Sequence, residues 1–97
     1  MAKEKLRYLA HDGRTLRTQI EGCGSADSKL PAELPPTIIK WEKDVTTTLA
    51  RRPDDRLQFQ NPGLSDRWNP FAATVGAAYA RINLQLEVLE HGIRSWE

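Results

Sequence analysis

This chain of 97 residues carries a single cysteine, Cys23. One thiol closes no disulfide within a monomer, which removes the disulfide-stapled secreted scaffolds and points to a reducing, cytoplasmic setting. Long apolar runs are also missing. A membrane span needs roughly 20 apolar residues, and Arg81, Glu87, Glu90 and Arg94 interrupt the one stretch of sufficient length. Lys3, Glu4 and Lys5 open the chain with charge and no apolar run follows them, unlike a secretory signal. Neither charge is in excess: fourteen Lys and Arg face thirteen Asp and Glu, a formal +1. A dedicated duplex-binding domain is usually more basic. Towards the N-terminus, though, Lys3, Lys5, Arg7, Arg14 and Arg17 outnumber Glu4, Asp12 and Glu21.

Signatures of chemistry are equally scarce. The sequence has no Gly-rich phosphate loop, no zinc-spaced Cys/His set and no Gly-x-Ser-x-Gly. His11 and His91 are the only histidines, and nothing in the sequence sets either beside Cys23. Glu87 and His91 have metal-ligand spacing on a helix. They depart from the Glu-x-x-His pattern of di-metal bundles, and no second such helix supplies the remaining ligands. We therefore expect no enzyme, no metal and no cofactor.

What the chain does have is helical period. With 39% hydrophobic and 28% charged residues it has the composition of an ordinary globular protein, and its length suits one domain over residues 1–97. Leu6, Leu9, Leu16 and Ile20 form an apolar stripe, so residues 3–21 read as a helix that stops at Gly22. The rival is a hairpin turning at Asp12-Gly13, which would pair Lys5 with Ile20 and alternate poorly. Residues 22–36 are a connector by composition, with Leu30 and Leu34 as anchors. Ile38, Trp41, Val45 and Leu49 share one face of a second helix over 37–52. It has Pro36 in its first turn, and Pro53 is read as its end. Residues 53–69 read as another irregular connector. Leu57 and Phe59 alternate there with glutamines, as in a short extended piece, and Asn61-Pro62-Gly63 makes a turn. Asn69-Pro70 is an N-cap and first-turn pair for a last helix over 70–95, roughly 39 Å long. The expected fold is all-α: a small bundle of three main helices, two long irregular connectors and a long central C-terminal helix.

That last helix looks apolar on two sides. Phe71, Val75, Tyr79, Ile82, Leu86, Leu89, Ile93 and Trp96 line one face at steps of three and four. Ala73, Ala77, Ala80, Leu84 and Val88 run roughly opposite, with Gly76 beside them. Small residues allow a second helix to approach closely. The expected function is that of a non-enzymatic assembly or adaptor protein that acts by helix-mediated protein–protein contact and associates with itself. Its interface would comprise Ala73, Gly76, Ala77, Ala80, Leu84 and Val88, with Trp96 as an anchor. The competing architecture covers both faces with the chain's own helices. The alternative function is regulatory: Arg51, Arg52, Arg56 and Arg67, with Trp68 to stack a base, would hold nucleic acid or a phosphorylated small ligand. Asp54 and Asp55 beside the arginines, and the pull of a helix C-terminus on Arg51 and Arg52, offer a purely structural reading of the same residues.

Overall fold

Asp12-Gly13 does not turn the chain; it lies inside a helix. The computed structural model describes residues 2–60 and 69–95. Among these it shows helix α1 (Ala2–Glu21), α2 (Leu34–Thr48), α3 (Pro53–Gln60) and α4 (Val75–Ser95), with a 3₁₀ turn over Leu49–Arg51. The stripe Leu6, Leu9, Leu16, Ile20 is buried throughout, as is Ile38, Trp41, Val45, Leu49. In each case the step of three or four puts the apolar side chains on one flank. Gly13 is glycine for reasons of space. A Cβ at this position would lie 2.5 Å from Cζ2 of Trp41 and 2.7 Å from Cδ2 of Leu86.

The indole of Trp41 presses against α1 at that notch. Its Nε1 donates to the backbone carbonyl of Leu9 at 2.7 Å, so the one polar atom of the ring is satisfied. Its edge meets Phe59 of α3, with ring centroids 5.3 Å apart and planes at 62°. The helices close a ring around this core: α1 packs on α2 and α4, and α3 packs on α2 and α4.

Three boundaries differ from the sequence expectation. First, α2 begins at Leu34 rather than residue 37, with Pro35 and Pro36 in its first turn, where no N–H is required. It ends at Thr48, whose hydroxyl donates back to the Asp44 carbonyl, and the chain then tightens into the 3₁₀ turn.

Second, residues 53–60 are helical rather than irregular or extended. Pro53 starts a helix here instead of only stopping one. Asp54 and Asp55 occupy its first turn, where negative charge suits the exposed N–H groups. Leu57 and Phe59 looked like strand alternation because residues two apart on a helix also fall on nearly opposite sides. Accordingly Phe59 is fully buried and Leu57 is exposed. The turn read at Asn61-Pro62-Gly63 lies outside the described residues.

Third, α4 begins at Val75 rather than at residue 70. Asn69 makes a local turn instead, accepting from Phe71 N–H through Oδ1 at 3.0 Å and from Ala72 N–H through its carbonyl. The chain then extends so that Thr74 bridges Lys29. Thr74 is the actual cap, its hydroxyl accepting from Ala77 N–H at 3.2 Å. The next two orphan donors find the first connector: Val75 N–H bonds the Ser28 carbonyl at 2.7 Å, and Gly76 N–H that of Ala26 at 2.9 Å. Phe71, expected on the buried face, therefore precedes the helix and is exposed.

Replacing Gly13 with Ala tests the notch. Intrinsic propensity favours Ala by about 1 kcal/mol in a helix interior, but the new methyl would displace an anchored indole, an overpacking cost of about 1–3 kcal/mol. We expect the variant to be destabilised, with a midpoint several degrees lower by thermal or urea unfolding. A gain in stability would refute this account of the glycine.

Candidate functional site

The flanks of α4 have different owners. Towards α1, Asn83 accepts from Arg17 at 2.9 Å and Glu90 pairs with Arg14 at 3.4 Å. Arg14 lies opposite Glu90 and Arg17 opposite Asn83, so the two helices run antiparallel. Towards α3 the contact is polar and buried. Arg81 and Gln85 are 6% and 1% exposed, one helical turn apart among Ala78, Ile82, Leu86 and Leu89. Arg81 Nε meets Glu42 of α2 at 3.2 Å, and Gln85 Nε2 donates to the same carboxylate oxygen at 2.6 Å. Arg81 also donates to the Gln60 carbonyl at 3.0 Å, and Gln85 to that of Phe59 at 3.4 Å. These two α4 side chains thus cap the C-terminal end of α3, whose last carbonyls have no partner within the helix, while tying it to α2.

Sequence reasoning missed this group, treating Arg81 only as a charge that interrupts an apolar stretch. A usable signal was present. Val75, Ala78, Arg81 or Ile82, Gln85, Leu89 and Gly92 continue one row at steps of three and four, so two polar residues fall inside an apolar face.

Between these flanks lies the row expected to form an interface, and its members have separate fates. Ala77 and Ala80 are exposed, and Leu84 and Val88 are half-buried. Val88 packs on the core. Glu87 and His91 extend the exposed row towards the C-terminus. Gly76 makes its close approach within the chain: a Cβ there would lie 3.0 Å from that of Ala26. Ala73 precedes the helix. Trp96 lies outside the described residues. Neither α1, α2 nor α3 covers the centre of the row, so the competing architecture, with both faces of α4 covered by the chain's own helices, does not hold at Ala77 and Ala80.

The arginines of the alternative reading divide as well. Arg51 and Arg56 are exposed. Arg52 is half-buried, with Nε 2.8 Å from Asp55 Oδ2 and Nη1 donating to the Gly92 carbonyl at 3.2 Å. It joins the start of α3 to the last turn of α4 and serves the fold. Arg67 and Trp68 lie outside the described residues. A cavity of about 320 Å³ beside Arg51 and Arg52 is also lined by Asp54 and Asp55, which offset their charge. Cys23 is half-buried with its thiol donating to the Gln19 carbonyl at 3.0 Å. Among the described residues no three His, Cys, Asp or Glu side chains converge as metal ligands, and no helix is long and apolar enough to cross a membrane.

Comparison with protein-family models, curated proteins and solved structures returned no match.

The buried polar group yields a prediction. Arg81→Met takes the cationic partner from the half-buried Glu42 carboxylate and one donor from the Gln60 carbonyl of α3, and should cost about 3 kcal/mol. The double variant Arg81→Met with Glu42→Leu should cost less than the sum of the two single changes. Urea unfolding of the four proteins in a double-mutant cycle measures the coupling; strict additivity would show that the pair is not coupled.

Proposed function

We propose that this chain is a non-catalytic intracellular assembly or adaptor protein that pairs with a second copy of itself through the outward row of α4. The observation that carries the reading is the exposure of Ala77 and Ala80 in the first two turns of a 21-residue helix whose two flanks are already packed. A long helix usually buries its apolar stripe and turns charge to solvent. Here the outermost positions in the first half of the helix are alanines.

The row also favours its own copy as partner. Its N-terminal half is small, Ala77 and Ala80, and its C-terminal half is large, Leu84, Glu87, Val88 and His91. A two-fold axis that pairs the helices antiparallel sets the small half of one copy against the large half of the other, which is the self-complementarity an isologous interface needs. A formal charge of +1 imposes little repulsion between copies. Ala73 and Gly76 fall at the edge of such an interface. The reading through Arg51, Arg52, Arg56, Arg67 and Trp68 has weaker support, because Arg52 is engaged within the fold and acidic side chains line the cavity beside it.

Light scattering coupled to size exclusion should find a dimer whose population rises with concentration. Ala77→Arg or Ala80→Glu should weaken it at least about tenfold, or about 1.4 kcal/mol, with helical circular dichroism unchanged and with the unfolding midpoint unchanged at dilutions where both proteins are monomeric. A wild-type chain that stays monomeric at high concentration would sink the proposal.

A further inference from the structure

A cavity of about 250 Å³ opens along the seam between α1 and α4, lined by Arg7, Ala10, Arg14, Glu90, Ile93 and Arg94. The helices converge there by simple spacing. Residues 7, 10 and 14 share one face of α1, and 90, 93 and 94 share one face of α4. Three guanidinium groups thus surround one opening against a single carboxylate, in a chain whose overall charge is nearly zero.

The pairing within this group is incomplete. Glu90 and Arg94 are one turn apart on α4, but Glu90 turns to Arg14 across the seam. That contact is 3.4 Å long with both side chains nearly half exposed, 45% and 43%, so it contributes little. Among the described residues, neither Arg7 nor Arg94 has a side-chain hydrogen bond or ion pair. Arg94 sits in the last turn of α4, where the helix C-terminus favours its charge without using its donors. Like charges gathered at one opening repel each other, and an anion between them reverses that cost. The floor is apolar: Ala10 is buried and Ile93 is half-buried on the core.

We propose that this seam binds a small phosphomonoester. The phosphate dianion accepts paired N–H bonds from Arg7 and Arg94, whose planar forks match its oxygens. Arg14 contributes once it leaves Glu90. The ester group lies on Ala10 and Ile93. The site is separate from the proposed dimer face and shares no residue with it, so the two proposals fail independently.

The test is a titration of the full chain with phenyl phosphate and with inorganic phosphate, followed by NMR at matched ionic strength to remove non-specific screening. Phenyl phosphate should give saturable shifts at Ala10 and Ile93 and bind several-fold tighter than inorganic phosphate. Arg7→Gln with Arg94→Gln should weaken it at least about tenfold. Glu90→Gln should tighten it, because it removes the competing carboxylate and frees Arg14. Ala80→Glu, which disrupts only the α4 row, should leave it unchanged. Unchanged resonances outside the seam report that each variant is folded. Non-saturable shifts, equal affinity for the two probes, retention of binding in the double variant, or weaker binding in Glu90→Gln would each overturn the proposal.

Discussion

The seating of Trp41 against a helix that has no side chain at the point of contact is the constraint on which the rest of this fold depends. The indole reaches α1 at Gly13, bonds the Leu9 carbonyl and meets Phe59 of α3 edge-on, while Leu86 of α4 closes on the same notch. One side chain thereby fixes the distance of α2 from α1 and the position of the short helix α3. Interiors pack at near-crystalline density, so a single methyl at the notch would be felt on three helices at once. Glycine in the middle of a helix is unfavourable alone; here the packing of an aromatic ring offsets that preference.

The helix ends depend on tertiary partners to an unusual degree. The first donors of α4 are met by Thr74 and by the Ala26 and Ser28 carbonyls of a connector that has no regular structure of its own. The last carbonyls of α3 are met by Arg81 and Gln85, and the Gly92 carbonyl near the end of α4 by Arg52. Buried backbone groups must find partners. A chain this short meets the requirement by letting each segment cap another. The connector over residues 22–33 is therefore structural, since without it α4 would begin with unmet N–H groups beneath Val75, which is itself buried.

These arrangements determine what the surface has to offer. Because α1 takes one flank of α4 and α3 the other, the row through Ala77, Ala80 and Leu84 is left outermost and unusually poor in charge for an exposed helix face. Because α1 and α4 run antiparallel, the arginines near the start of one lie beside the arginine at the end of the other, and the seam gathers positive charge that neither helix carries by itself. The arginine pair read together in the sequence, Arg51 and Arg52, is split by the same logic. The chain turns between them, and Arg52 is drawn inwards to Asp55 and Gly92.

The sequence by itself determined the all-α class, the three long helices and nearly all of the buried residues on α1 and α2, because apolar side chains at steps of three and four have only one way to share a face. It also determined that Ala77 and Ala80 would share a row apart from Val75 and Ile82. Only the tertiary structure decided the rest. It turned residues 53–60 into a helix, since a two-residue alternation of Leu57 and Phe59 is compatible with either period and only the docking of Phe59 on Trp41 distinguishes them. It moved the start of α4 from Pro70 to Val75, because the cap that wins is the one whose remaining donors meet the carbonyls of a distant connector. It buried Arg81 and Gln85, and it gathered Arg7, Arg14 and Arg94. Such groupings join residues more than twenty positions apart, and local period carries no information about partners at that distance; which polar atoms meet is settled only when the helices have docked.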